Sequence, residues 1–128
     1  MDRRIMIALA ALAGIALGAA AVEGLHAQAK PKAYLVTESE VIDSAAQAAY
    51  APQIQAALKA AGGRNFFTAG GKTIAFIGAA PKLAAISEWE SLEQAQAWRN
   101  SAAFNNLAAQ RDKAQKQIRV YAVEATMN

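Results

Sequence analysis

The sequence of 128 residues contains no cysteine and one histidine, His26. A chain without thiols has no disulfides, thiolate nucleophiles or cysteine-ligated metal centres. If His26 lies in a cleaved leader, as argued below, the mature chain also lacks imidazole. Zinc sites built from Cys and His, histidine-ligated haem and Ser-His-Asp triads are then excluded within one chain. We therefore predict no cofactor and no metal site.

Strong charge of either sign is also lacking, since thirteen lysines and arginines against ten carboxylates give a net charge of +3. The basic residues are spread from Lys30 to Arg119 with carboxylates among them, so no basic stripe that could follow a phosphate backbone is present. We expect no nucleic-acid partner. Without disulfides, stability must come from core packing, and an oligomer interface would add to it.

The N-terminus reads as a leader. Arg3 and Arg4 precede an apolar run over 5–22, and an A-x-A site follows at 27–29. This order is typical of a secretory signal peptide. We expect cleavage after Ala29, a mature chain of about 99 residues, and a periplasmic or secreted location without membrane attachment. The alternative is an uncleaved anchor, because the apolar run is just long enough to span a bilayer.

Period-two alternation predicts the strands of a single domain over 33–128, which follows a linker at 30–32. The first strand is predicted over 33–42, with unlike faces, and which face meets the helices stays open. A second strand is predicted over 64–69, interrupted by a turn at Gly70-Gly71 and resumed over 73–77. Further strands are predicted over 83–89 and 118–125.

Capping signals place the first helix after the first strand. Asp43 or Ser44 can cap it, and Ser44 with Gln47 fits the S-x-x-Q capping box. Pro52 predicts a kink that separates a short first turn from a main helix ending near 61, because the proline ring clashes with the preceding turn. Glycines at 62 and 63 suit the left-handed end of that helix.

A second capping box, Ser91 with Gln94, opens the other crossover, and Ser101 begins a further helical segment. A polar connection is predicted over 112–117. The resulting order, β-α-β-β-α-β, is that of the ferredoxin-like fold of the α+β class, in which a four-stranded antiparallel sheet carries helices on one face. The other face needs cover in so small a chain. We expect a homodimer in which two open sheet faces meet.

The spacing of aromatic, glycine and polar residues over 33–125 resembles the domain of unknown function 1330 family, a branch of the dimeric α/β-barrel superfamily. The residues that carry the resemblance are Tyr50, Gly62-Gly63-Arg64, Gly70-Gly71, Glu88-Trp89-x-Ser91, Ala95-x-x-Trp98-x-x-Ser101, Phe104 and Arg111. The resemblance implies the ferredoxin-like fold and a dimeric barrel. It implies no reaction, because the family has no established common activity.

The chain departs from the family pattern at three positions. The family often has a basic residue before the second Gly-Gly pair and another at the start of the third strand, where this chain has Ala69 and Leu83, with Lys82 as the nearest cation. It usually has an aromatic hydroxyl or indole where this chain has Phe104. A site that depends on those groups is not implied here.

Glu88 is the strongest single candidate for chemistry, because a carboxylate at a strand end beside Trp89 could have a raised pKa and act as an acid or base. The alternative is a salt bridge or a helix-capping contact.

Arg111 shares a helical side with Phe104. It either pairs with Glu88 or binds an anionic ligand in the fork geometry of its guanidinium group.

Tyr50 and Trp98 project from apolar helical faces, which is typical of core residues, but they would line any cavity between sheet and helices.

Glu38 and Glu40 share one face of the first strand. Two carboxylates at that spacing could ligate a metal only with further ligands that the sequence does not reveal, so a solvated or dimer-facing edge is the preferred interpretation.

Three functions follow as hypotheses. The first, ranked slightly above the second, is an exported module that binds an apolar or weakly anionic small molecule between sheet and helices. The second is a cofactor-independent enzyme, an isomerase or monooxygenase-like catalyst, in which the weak catalytic candidates Glu88, Arg111 and Tyr50 move protons and stabilise charge. The third is a non-catalytic dimeric interaction module. The predicted ligand-binding residues are Tyr50, Glu88, Trp98, Ser101, Phe104 and Arg111.

Overall fold

An alternating segment near the start of the domain becomes one of the two central strands of a four-stranded antiparallel sheet. The computed structural model describes residues 30–126. The strands are β1 (Ala33–Val41), β2 (Arg64–Phe66), β3 (Leu83–Trp89) and β4 (Gln115–Glu124). The helices are α1 (Ser44–Ala60), α2 (Leu92–Arg99), α3 (Ala102–Asn105) and α4 (Ala108–Ala114). The strand order β2-β3-β1-β4 confirms the predicted ferredoxin-like topology.

The two faces of the sheet differ as the alternation in β1 requires. Ala33 and Leu35 are buried beneath the helices, whereas Tyr34 and Val36 project to the opposite face and are only partly buried. The side chains at 33, 35, 37 and 39 therefore belong to the inner face. The outer face carries no helix within residues 30–126, and we call it the open face.

Aromatic side chains form the centre of the core between the inner face and the helices. The rings of Trp89 and Trp98 stack with centroids 5.7 Å apart, and Phe104 meets Trp98 edge-on at 5.4 Å. The Trp89 indole Nε1 donates to the Ser87 Oγ at 2.9 Å, which satisfies a donor that burial would otherwise leave unpaired. This stack joins β3 to α2 and α3.

The first helix is continuous from Ser44 to Ala60, so the predicted interruption at Pro52 is wrong. Pro52 is exposed, while Tyr50 on one side of it is buried and Ile54 on the other packs against the core. Burial on both sides of the proline offsets the lost hydrogen bond. Asp43 is the N-cap, because its Oδ1 accepts from the Ala46 N–H at 2.9 Å. The alternative cap at Ser44 and its box with Gln47 are not formed.

The end of α1 has the predicted glycine geometry. Gly62 adopts a φ of +96°, and its N–H donates to the Lys59 carbonyl at 3.1 Å. Gly63 donates to the Leu58 carbonyl at 3.0 Å, which completes a Schellman motif. A Cβ on Gly63 would lie only 2.6 Å from Trp89 Cζ2, so this glycine also allows α1 to end directly against the core indole.

The second strand stops at Phe66, and residues 67–82 contain neither helix nor strand, so the strand predicted over 73–77 is wrong. Thr68 N–H donates to the Phe66 carbonyl at 2.6 Å, and this tight turn takes the chain out of the ladder. Phe67, Phe76 and Ile77 are 85%, 89% and 97% exposed. Alternation alone cannot form a strand where no neighbouring strand supplies hydrogen bonds. We call residues 67–82 the β2–β3 loop.

The caps of the second crossover are confirmed. Ser91 Oγ accepts from Gln94 N–H at 3.1 Å, and Gln94 Oε1 accepts from Glu90 N–H at 2.8 Å. Ser101 caps α3. The polar connection predicted over 112–117 is wrong, because α4 continues to Ala114 and β4 begins at once. Polar residues occur in this part of β4 because Gln115 and Gln117 face a cavity between the sheet and the helices.

Within residues 30–126 no helix has the length and apolar character needed to cross a bilayer. The leader predicted at 1–29 and its cleavage site lie outside the described residues.

Candidate functional site

A cavity of about 110 Å³ lies between α1 and the inner face of the sheet, and we call it the sheet–helix cavity. Much of its wall is apolar and comes from both layers of the fold. These apolar side chains include Leu35, Ile54, Leu58, Trp98 and Phe104. The cavity therefore passes beside the aromatic core and can receive a hydrocarbon or aromatic group.

Polar side chains reach the same cavity where β1 ends. Ser39 lies opposite Gln117 in the β1–β4 ladder, and both line the cavity together with Gln115. Gln47 joins them from the first turn of α1. Ser39 and Gln115 are buried, with 1% and 8% of their surface exposed. The cavity thus has a polar end beside the end of β1, and other polar residues, including Asn65 and Ser87, lie elsewhere on its wall.

Two arginines approach the Phe104 ring beside this polar end. The guanidinium carbons of Arg99 and Arg111 lie 4.3 Å and 4.7 Å from the ring centroid, which is cation–π distance. Arg99 Nη2 also donates to Gln117 Oε1 at 3.3 Å, and Arg99 lines the cavity. Burial lowers the pKa of Arg99, and the like charge of Arg111 lowers it further. The two cations are close enough to repel each other.

Tyr50 lines the cavity beside these arginines and is 4% exposed. Burial raises the pKa of its phenol, because a phenolate would lose its hydration, while Arg111 and Arg99 oppose that rise. The hydroxyl therefore remains protonated, and toward the Arg111 guanidinium its oxygen is the acceptor. It lies in a positive electrostatic field.

Three buried polar atoms of this region have no hydrogen-bond partner in the described part of the chain: Ser39 Oγ, Gln47 Oε1 and Arg111 Nη1. Buried polar groups are nearly always paired, and each unpaired one costs about 1–3 kcal/mol. Two of the three residues line the cavity, and the third stacks on Phe104, which also lines it. The region has unused capacity for polar contacts.

The sequence profile of DUF1330, a domain of unknown function, matches residues 32–126. The chain belongs to the DUF1330 family. A crystal structure of a protein of unknown function from Rhodopseudomonas palustris is similar to it, with a TM-score of 0.61 and 13% sequence identity over 84% of this chain and 93% of that chain. At that identity the similarity concerns the fold alone. No curated protein matches the sequence closely enough to count as a relative.

Of the ligand-binding residues predicted for this DUF1330 domain, Tyr50, Trp98 and Phe104 line the cavity. Arg111 lies behind Phe104 rather than on the cavity wall. Ser101 is engaged in the helix start, since its hydroxyl donates to the Trp98 carbonyl at 2.7 Å and accepts from Phe104 N–H at 3.2 Å.

Sequence reasoning missed Arg99 and the polar residues at the end of β1. The available signal for Arg99 was its place in the last turn of α2, next to Trp98 and just before the Ser101 cap. Ser39 gave no signal, because its partner Gln117 belonged to a segment predicted as a connection. The departures from the family pattern at Ala69 and Leu83 both lie on the cavity wall and extend its apolar part.

Glu88 lies on the open face of the DUF1330 domain, away from the cavity. Its carboxylate accepts from Lys32 Nζ at 3.2 Å and from the Tyr34 hydroxyl at 3.1 Å. Lys32 and then Tyr34 lower the pKa of Glu88, so the raised pKa considered from the sequence is wrong. A contact with Arg111 is absent, because the sheet separates the two side chains.

The two carboxylates of β1 also lie on the open face, and each has a cation nearby. Arg119 donates to both Glu38 oxygens and lowers the pKa of that carboxyl. Lys82 Nζ lies 3.7 Å from Glu40 Oε1. These contacts favour the ion-paired edge over a metal site. Apolar groups surround the charged ones on this face, including Tyr34, Val36, Phe66, Ile86, Tyr121 and Val123.

Proposed function

We propose that this DUF1330 protein binds a small molecule in the sheet–helix cavity. The supporting observation is the coincidence of an aromatic-walled cavity with buried, unpaired polar atoms at one end, Ser39 Oγ and Gln47 Oε1 on its wall and Arg111 Nη1 behind Phe104. Ligand sites are typically apolar clefts with a few polar groups that orient the ligand. A folded chain retains such costly atoms most readily where a ligand contributes to the polar contacts.

The size of the cavity limits the ligand. A cavity of about 150 Å³ in another protein accommodates benzene, and this one measures about 110 Å³. The bound group has roughly four to six non-hydrogen atoms by this comparison. A larger molecule would have to leave part of itself outside.

The composition of the wall favours binding over catalysis. Among residues 30–126, those that line the cavity include no aspartate, glutamate, lysine or histidine, and their titratable groups are Tyr50 and Arg99. Glu88, the carboxylate on which the enzymatic hypothesis depends, lies on the other face of the sheet. A neutral phenol beside two cations can orient a ligand but is a poor general base.

The open face supports the second part of the proposal, a homodimer formed by two facing sheets. Ile118, Tyr121 and Val123 of β4 are 56%, 47% and 51% exposed. An antiparallel sheet in so small a domain gains most from covering its second face with another layer. We further propose that the protein acts after export, since residues 1–29 have the pattern of a signal peptide.

Native mass spectrometry of protein purified from the exported fraction of its own cells tests these proposals together. We expect a dimer that carries a reproducible extra mass. Ala51→Leu puts an isobutyl group into the cavity wall and should remove that mass, whereas Ala49→Leu on the exposed side of α1 should retain it. A ligand-free dimer in every preparation counts against the binding function, and a monomer overturns the facing-sheet dimer.

A further inference from the structure

Within residues 30–126 the two arginines next to the cavity have no buried acid beside them. No carboxylate within residues 30–126 lies within 4 Å of Arg99. Arg111 has one acidic neighbour, Asp112, at 3.6 Å from its Nε, and that side chain is 75% exposed to water. The Phe104 ring attracts both guanidinium groups but has no net charge. Two partly buried cations therefore share one small region without a buried counter-ion.

An uncompensated pair of this kind is unfavourable, since burial and the like charge both oppose the charged form of Arg99. A bound anion would offset both effects, because its charge stabilises the guanidinium form. A guanidinium group has only donors, so Arg99 on the cavity wall requires an acceptor. The region selects against cations and against ligands that are only donors.

The hydrogen-bonding groups on the cavity wall lie within reach of the same end. Ser39 is opposite Gln117 in the ladder, and Gln117 accepts from Arg99, so the Ser39 hydroxyl and the Arg99 guanidinium flank one residue. Ser39 Oγ is buried, unpaired and on the wall. The unpaired Gln47 oxygen is compatible with a negative ligand, because rotation of the amide puts Nε2 in its place.

We propose that the ligand of the sheet–helix cavity is a short-chain monocarboxylic acid, bound as its carboxylate. Its oxygens accept from Arg99 and from the Ser39 hydroxyl, while Arg111 is a positioning residue that adds positive charge from behind Phe104. The hydrocarbon tail lies along Trp98 and Leu58. This inference rests on the proposed binding function and adds the chemical class of the ligand.

A carboxylate fits better than a phosphate. An acid of about four to six non-hydrogen atoms fills a space of this volume, and apolar side chains such as Leu58 and Trp98 form much of the wall beyond the polar end. Arginine binds a carboxylate through two parallel hydrogen bonds. A dianionic phosphate would bring more charge than the wall groups can hydrogen-bond and would leave the apolar wall uncovered.

The test is isothermal titration calorimetry of the purified protein with acetate, propionate and butyrate, which have four, five and six non-hydrogen atoms, each compared with its amide, and with inorganic phosphate. The amides have nearly the same shape as the acids but no charge. The comparison is therefore made on the wild-type protein and does not depend on whether a variant folds. We expect the acids to bind at least about tenfold more tightly than the amides, as the loss of a charged hydrogen bond implies. Phosphate should not compete with them.

Arg99→Gln should remove most of the preference for acid over amide. Arg99→Lys should retain more of that preference than Arg99→Gln does, because lysine keeps the charge. Arg111→Gln should reduce the preference. The matched control is Arg119→Gln on the open face, which should leave binding unchanged. Thermal melts identify any variant that fails to fold.

Equal or tighter binding of the amides overturns the carboxylate assignment but leaves the binding function standing. If none of the acids binds while native mass spectrometry still shows a ligand, the chemical class is wrong. If no ligand is seen in either experiment, the binding function itself is wrong.

Discussion

Replacing Gly63 by alanine should destabilise the domain strongly. A Cβ there would lie 2.6 Å and 2.7 Å from the Trp89 ring atoms Cζ2 and Cη2, and 2.8 Å from Leu58 Cδ2. Such contacts are well inside the van der Waals minimum. Trp89 is 1% exposed and stacked on Trp98, so the indole cannot move away without disturbing the core and the cavity wall.

Overpacking of this kind costs about 1–3 kcal/mol, and the smaller backbone freedom of alanine in the unfolded chain returns less than about 1 kcal/mol. Because the Cβ would meet three atoms closer than 3.0 Å, we expect a cost at the upper end of that range and a net loss of about 2 kcal/mol. In a domain of this size that lowers Tm by roughly 8–16 °C. Urea unfolding and thermal melts at a fixed protein concentration measure it, because a dimer would make the stability concentration-dependent.

The matched control is Gly70→Ala, since a Cβ at Gly70 would meet no atom within 4 Å and its φ is not positive. That variant should be as stable as the wild type or slightly more stable. Trp89→Phe removes two of the three clashing atoms and leaves Leu58 Cδ2, the end of a flexible side chain, so Gly63→Ala should cost less than half as much in that background. The steric account is refuted if Gly63→Ala and Gly70→Ala lower the free energy of unfolding equally. It is also refuted if Gly63→Ala costs as much in the Trp89→Phe background as in the wild type.

Two further predictions concern single side chains. Because Lys32 lowers the pKa of Glu88, this carboxylate stabilises the fold fully above its ordinary pKa of about 4.3 and loses that effect as pH falls through the lowered value. The Tm difference between wild type and Glu88→Gln should be constant at neutral pH and shrink in acid, and a difference that grows in acid contradicts the assignment. Asp43→Ala should cost about 1 kcal/mol in urea unfolding because α1 loses its N-cap, whereas Ser44→Ala should cost little. The reverse order would make Ser44 the cap.

Local signals predicted much of the fold. The alternation that begins at Ala33, the serine caps at Ser91 and Ser101, and the glycine at Gly62 each depend on neighbours in sequence, and all are found in the structure. Together they fix the order of elements. The order then allows few topologies, and the ferredoxin-like one is observed.

Other features depend on contacts between distant residues. Residues 73–77 alternate like a strand, but no neighbouring strand pairs with them, and the segment remains a loop. Gln115 looked like part of a connection because its polar side chain suits one. It is buried on the inner face of β4, where the cavity accepts polar groups.

The candidate site was only partly predictable for the same reason. Tyr50 and Phe104 were found, because aromatic residues on apolar helical faces must point towards the sheet. Pairing of Glu88 with Arg111 was one of two alternatives for that arginine, and strand register instead places Glu88 opposite Arg64 on the open face. Arg99 becomes significant only when Gln117 and Phe104 are brought next to it.

The β2–β3 loop leaves and rejoins the sheet at two points that are tied together. Thr68 Oγ1 donates to the Ala84 carbonyl at 2.6 Å, and Thr73 Oγ1 donates to the Pro81 carbonyl at 2.9 Å. These two hydrogen bonds hold the ends of the loop in place, so the sheet does not depend on how long the chain between them is. Doubling the length of that chain costs only about 0.6 kcal/mol in closure entropy. Changes of length between Thr73 and Pro81 should leave the cavity unaltered, because no residue of that segment lines it. For the engineer, this segment is a permissive position at which an epitope or a reporter domain can be inserted.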